Sequence, residues 1–155
     1  MSEATACSAF HTFCRGFAET LYHVHVRLPT GDAHDKAMRE YDALGLTGAI
    51  GSTDVTHVKR ECCPESETIS YTGKEGYPTI AYEVTVDHTG RVLGVTRGFP
   101  GAQNDKTIIR YDLTVRKVRE EAPYRDRTFK LTKRDGTTKD VKGNYLIVDH
   151  GYHKV

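Results

Sequence analysis

Gly51-Ser-Thr-Asp-Val-Thr-His-Val58 is a short β-branched run with one carboxylate, Asp54, set into it. A second such run, Tyr145-Leu-Ile-Val-Asp-His-Gly-Tyr152, delivers Asp149 at its end. β-branched residues favour the pleated, half-buried surface of a sheet, so each run reads as a strand that carries an acid at or near its end. Two carboxylates on adjacent strands can hold a pair of divalent metals about 3.5–4 Å apart, the geometry of in-line phosphodiester displacement. The two aspartates lie far apart in the chain, so only a folded sheet can bring them together.

Working outward from Asp54, the chain before it is helical. Phe10, Phe13, Cys14, Phe17 and Leu21 recur at helical spacing between Ser8 and Tyr22 and predict one buried stripe. Pro29 blocks continuation, Thr30 is placed to cap a second helix over about Asp32–Leu44, and Gly45 is its stop. Ala49–Val58 is the first strand, and Arg60–Gly76 is polar and turn-rich. Thr79–Val86 alternates Ile80, Tyr82, Val84 and Val86 on one face. Asp87-His-Thr-Gly90 turns, and Arg91–Thr96 returns as a hairpin. Asn104 or Asp105 caps a helix with apolar positions Ile108, Tyr111, Val115 and Val118. A basic hairpin over Arg125–Val141 turns at Lys133-Arg-Asp-Gly136, and Tyr145–Val148 is the last strand. Three strands joined without helices suit antiparallel pairing, and a helix before the last strand permits a parallel crossover. The expected class is therefore α/β (α+β), a mixed sheet preceded by two N-terminal helices, with residues 1–45 a helical segment and 46–155 the sheet domain.

Composition fits a globular chain: 155 residues, 37% hydrophobic and 28% charged, with a net charge of +1. No apolar run reaches the ~20 residues of a membrane span, so no membrane is expected. The N-terminus shows no basic region followed by an apolar stretch, which predicts an intracellular protein. Residues 106–145 hold twelve Lys/Arg against six Asp/Glu. That excess suits a polyanionic partner if the side chains share a face; the alternative is an ordinary solvated helix and hairpin. Cys7, Cys14, Cys62 and Cys63 are not spaced as a tetrahedral zinc set or a disulfide framework.

Five motifs in order resemble the Harbinger-type DDE transposases, a family of DDE superfamily endonucleases. They are Ser8–Leu28 with Pro29-Thr30, Gly48-Ala-Ile-Gly-Ser-Thr-Asp-Val-Thr-His57, Gly73-Lys-Glu-Gly-Tyr-Pro-Thr79, Phe99-Pro-Gly-Ala-Gln-Asn-Asp105 and Val148-Asp-His-Gly-Tyr152. The resemblance implies a ribonuclease-H-like fold, Mg²⁺ or Mn²⁺ as cofactor, and cutting and joining of DNA ends in the nucleus. It places the first acid on the first strand and the second just after the fourth. Asp54 and Asp149 match those positions as catalytic metal ligands. The third acid, a glutamate on a late helix, would follow beyond Val155. The sequence is accordingly read as a domain incomplete at its C-terminus, with weak or absent turnover. An unpaired edge on the last strand would invite self-association. The resemblance also implies DNA and a separate Myb-like protein as partners.

Each residue has a plainer alternative. Asp54 can be a solvent-exposed strand residue and Asp149 a turn aspartate before Gly151. Asp105 competes with Asp149 for the second acid position, since Asn104-Asp105 resembles a recurrent motif of the family, yet an acid at a helix start is already explained by capping and the positive dipole end, which leaves it a supporting residue. Three residues after Asp54, His57 should face the opposite side of the strand, in a packing or hydrogen-bonding role. His150 and His153 are candidates to approach phosphate. Lys74 and Arg97 are candidate contacts to the DNA backbone, or simply solvated cations. Gly90, Gly98 and Gly101 read as turn residues. At the level of the whole chain, the rivals are a non-catalytic DNA- or protein-binding module and a hydrolase of smaller phosphate esters.

Overall fold

The computed structural model describes residues 2–152. Helix α1 spans Glu3–Gly16 and is capped by Ser2, whose hydroxyl accepts from Thr5 N–H. It runs through a π-helical turn, Phe17–Leu21, into the short α2, Tyr22–His25. The expected buried stripe is not buried: α1 contains no buried residue, and Phe10 and Phe13 are 62% and 66% exposed. Periodicity is enough to form the helix, but burial requires a surface to pack on, and no residue of α1 is buried against one.

Helix α3, Asp32–Ala43, lies against the first strand. Its N-cap is Gly31 at φ +54° rather than Thr30, with His34 and Asp35 N–H donating to the Gly31 carbonyl. Gly45 ends it as expected. At φ +78° it lets Leu46 N–H return to the Tyr41 carbonyl at 2.9 Å.

Strand β1 spans Ala49–Lys59, followed by a 3₁₀ turn at Glu65–Glu67 and a single helical turn α4, Thr68–Tyr71. The predicted hairpin is β2, Thr79–Val86, with β3, Val92–Val95, and a two-residue β4, Phe99–Pro100, continues alongside β2. The single helix expected after Asn104 is two. Asn104 caps α5, Asp105–Ile108, and a 3₁₀ turn, Ile109–Tyr111, leads to Asp112. There the backbone is extended, and the Asp112 carboxylate starts α6, Leu113–Glu120, by accepting from Thr114 and Val115 N–H. Then come α7, Ala122–Arg125, the basic hairpin β5, Thr128–Thr132, with β6, Thr138–Lys142, and finally β7, Tyr145–Ile147.

The main sheet runs β3-β2-β1-β7, with β1 antiparallel to β2 and parallel to β7. The first strand thus lies at the centre with the late strand beside it in parallel, as a ribonuclease-H-like sheet requires. β5 and β6 form a separate two-stranded sheet. Among the described residues, the outer edge of β7 pairs with no strand.

One apolar cluster, Leu28, Ile50, Leu93, Val118 and Tyr124, joins the helices to the sheet, and a second, Val55, Ala81, Phe99 and Ile108, packs α5 onto it. On β2 the buried side is Thr79, Ala81, Glu83 and Thr85, while Ile80, Tyr82, Val84 and Val86 are only half-buried. Alternation reveals two faces but not which one the helices cover. Buried Asn144 fixes β7 beside β1: its amide donates to the Gly48 carbonyl at 2.9 Å, and its carbonyl oxygen lies 3.0 Å from His34 Nε2. Burial pushes the His34 imidazole down, which favours the neutral ring.

Candidate active site

Asp54 lies in the middle of β1 rather than at its end. It is nonetheless exposed, on the face of β1 opposite the buried Thr53 and Val55. The β1–β7 register pairs Ser52 with Ile147, and two further residues on each chain lead to Asp54 and Asp149. The ladder ends at that pair, so Asp149 leaves the end of β7 beside β1, where Asp54 lies two residues further along. Their order along the chain hid this, and a bulge between Ala49 and Gly51 sets it. One Asp54 oxygen, Oδ1, accepts from Val55 N–H at 2.8 Å. Asp149 and His150 are exposed, and His153 lies outside the described residues.

Behind Asp54, on the opposite face, is a buried polar network that sequence reasoning missed. Glu83 is fully buried. Its Oε1 accepts from Thr53 Oγ1 at 2.8 Å and its Oε2 from the Tyr152 hydroxyl at 3.1 Å, while Thr85 Oγ1 donates to Thr53 Oγ1 at 3.1 Å. Desolvation raises the Glu83 carboxyl to about 7, against the two hydroxyl donors, and the charges of Asp112 and Asp54 push the same way. Burial, and then the Glu83 charge, raise the Tyr152 hydroxyl, with smaller contributions from Asp54 and Asp105. The signal was present in the sequence as Thr79, Glu83 and Thr85 at period two, a polar side on a strand whose other side is apolar.

The remaining candidates fall around this pair. Asp105 opens α5, which packs against the turn His150–Tyr152. Lys74 Nζ lies 3.9 Å from Asp105 Oδ2, so Lys74 faces a carboxylate. Arg97 sits apart, its guanidinium 5.2 Å from the Phe99 ring centroid and 5.7 Å from that of Tyr111. His57 faces away from Asp54 and hydrogen-bonds Thr79 Oγ1 through Nδ1 at 2.9 Å, the bonding role expected of it. Gly101 is more than a turn residue, since it meets Gly73 at close range and brings the Gly73–Thr79 and Phe99–Asp105 motifs together. Part of the basic segment is locally neutralised, by Arg116–Glu120, Arg125–Asp126, Lys142–Asp126 and Arg127–Asp35 pairs.

Among the described residues no three His, Cys, Asp or Glu side chains form a ligand cluster. Asp54 and Asp149 offer hard carboxylate oxygens at an exposed position. That donor set fits Mg²⁺, which keeps several waters and needs only one or two protein carboxylates.

Residues 23–124 match the family described as plant transposon protein. The chain belongs to that family. It is also similar to the rat (Rattus norvegicus) and mouse (Mus musculus) proteins named "Putative nuclease HARBI1", at 26% identity over 86 residues in each case. The similar segment is 54% of this chain and 24% of either relative, so it spans about a quarter of the length of these curated proteins. No solved structure matches the chain. Together these make it a Harbinger-related, transposase-derived domain. The family match includes Asp54 and Asp105 and ends before Asp149. No helix among the described residues is long and apolar enough to cross a membrane.

Proposed function

We propose that this transposase-derived domain binds a divalent metal through Asp54 and Asp149 and acts on DNA as an endonuclease or strand-transfer domain. The observation that supports the reading is the parallel β1–β7 pairing, which sets the strand end leading to Asp149 beside the strand that carries Asp54. Asp105 supports the site through α5 and its packing on the His150–Tyr152 turn. Mg²⁺ or Mn²⁺ bound there would activate a water or 3′-hydroxyl and stabilise the leaving oxygen. The chain's own contribution is to hold the acids. Val55 N–H orients one Asp54 oxygen, and the Tyr152–Glu83 bond ties down the turn behind Asp149. DNA as substrate, a nuclear setting and a Myb-like partner rest on the Harbinger resemblance.

Titration of the protein with Mn²⁺, followed by water proton relaxation, tests the ligand assignment. Weak binding that disappears in both Asp54→Ala and Asp149→Ala is expected. With two carboxylates holding the metal, Mg²⁺-dependent nicking of supercoiled plasmid should be low and absent in both variants. Mn²⁺ binding unchanged in either variant would overturn the site. DNA retention without any metal binding would favour the non-catalytic module.

A further inference from the structure

A concave groove of about 650 Å³ lies between α2, the edge strand β3 and the start of α6, and is lined by neither Asp54 nor Asp149. Its walls are fixed by the fold. Tyr22 donates its hydroxyl to the Val95 carbonyl at 3.4 Å, which holds α2 against the β3 edge, and Gly94 allows Thr114 of α6 to approach the strand from the other side. Arg27, Arg97, Lys117 and His23 line the groove, and none of its lining residues is acidic. Elsewhere nine of the described cations, Arg60 and Arg91 among them, are ion-paired. Among the described residues, Arg27, Arg97 and Lys117 make no ion pair. Tyr111, 57% exposed, presents its ring beside the Arg97 guanidinium.

Unneutralised cations beside an accessible aromatic face are the chemistry that recognises single-stranded nucleic acid: phosphates on the cations, a base stacked on the ring. The volume is that of a site enclosing a small ligand, a nucleotide or two, whereas a duplex would have to lie across the rim. We infer that this groove binds a single DNA strand, with Arg27, Arg97 and Lys117 on the phosphates and Tyr111 stacked on a base. The inference rests on the reading of the domain as DNA-acting and is independent of which residues hold metal.

The test is fluorescence anisotropy of a short fluorescein-labelled oligodeoxythymidine, and of a duplex of the same length, with the whole chain in EDTA across a salt series. Because metal is excluded, failure of the Asp54–Asp149 assignment leaves this measurement untouched. Each lost phosphate contact lowers the slope of log affinity against log salt by about 0.7 on a single strand. Arg27→Gln/Arg97→Gln/Lys117→Gln should therefore weaken binding at least tenfold and flatten the slope by about 2. Tyr111→Ala should weaken it about tenfold with the slope unchanged, since stacking is not ionic. Arg97 also packs on Phe99, so Arg27→Gln/Lys117→Gln serves as the variant in which both altered side chains are exposed and unpaired. The control Lys130→Gln/Lys133→Gln/Lys139→Gln removes as many charges from the β5–β6 hairpin. Groove variants that bind like the wild type, or that lose no more than the hairpin control, would overturn the inference. So would an equal loss for duplex and single strand.

Discussion

Tyr152 donates its hydroxyl to Glu83 Oε2 at 3.1 Å, so the turn that follows Asp149 is anchored to the buried centre of β2. The bond spans most of the sheet domain in sequence and lies on the face away from Asp54. Tyr152→Phe removes the donor and leaves a buried carboxyl oxygen unsatisfied. A loss of about 1–3 kcal/mol is expected in urea unfolding. A midpoint equal to that of the wild type would show that the hydroxyl carries no stability.

Glu83 makes the stability of the domain depend on pH in a direction opposite to that of most acids. Burial raises its folded value from 4.5 to about 7, so between these limits the folded state holds a proton that the unfolded chain has released. Its stabilising contribution is complete below about pH 4.5 and is lost as pH rises through 7. The loss is at most about 3 kcal/mol. Glu83→Gln keeps an acceptor for Tyr152 and carries no charge. The variant should gain on the wild type progressively from pH 4.5 to 8, read as the difference between two urea-unfolding series. A constant difference over that range would mean that Glu83 does not titrate there.

Much of this arrangement was legible in the sequence because its signals are local. The Thr79–Val86 alternation and the Asp87–Gly90 turn define a hairpin without reference to the rest of the chain. Asp54 and Asp149 stood out as acids in β-branched runs. The register of their strands did not, since it depends on the Ala49–Gly51 bulge and on Asn144 bridging to Gly48 and His34 across the fold. The break at Asp112 was hidden for a different reason: Ile108, Tyr111, Val115 and Val118 keep helical spacing straight through it. For α1, amphipathic spacing correctly gave a helix and wrongly gave its burial, because burial is a property of the neighbour.

Asp112 offers a test of that break. Its Oδ1 caps α6 by accepting from Thr114 N–H at 2.6 Å and Val115 N–H at 3.2 Å, while its buried Oδ2 has no protein partner. Burial raises its carboxyl, opposed by the two backbone donors. Asp112→Ala should cost about 0.5–2 kcal/mol through loss of the cap. Asp112→Asn keeps the accepting oxygen and removes a buried charge, so it should be close to the wild type in stability. It should also move the Glu83-dependent pH midpoint lower, because the Asp112 charge helps to hold the Glu83 carboxyl up. An Asn variant as unstable as the Ala variant would argue against the cap.

Gly101 marks the place where two sequence motifs meet, and its replacement separates close packing from ordinary turn geometry. Its N–H donates to the Thr79 carbonyl at 2.9 Å, and Ala102 N–H reaches the Ser70 carbonyl at 3.2 Å. A Cβ on Gly101 would run into Thr79 Oγ1 and come within 2.5 Å of the Tyr71 carbonyl oxygen and 2.7 Å of that of Thr79. Backbone oxygens cannot rotate aside as a side chain can. Gly101→Ala must therefore displace either the Phe99–Pro100 pairing with β2 or the turn at Tyr71, and a loss of about 1–3 kcal/mol or more is expected. Gly90 is the contrasting case: it has φ +81° and open space where a Cβ would stand. Gly90→Ala should cost only about 1–2 kcal/mol, the penalty of a left-handed backbone for an L-residue. Because the Gly101 turn leads into Asn104 and Asp105, its displacement should also release Lys74 from Asp105, read as a shift of the Asp105 carboxyl resonance by NMR. Equal stability losses in the two variants, with the Asp105 resonance unmoved, would show that the close approach at Gly101 does not constrain the fold.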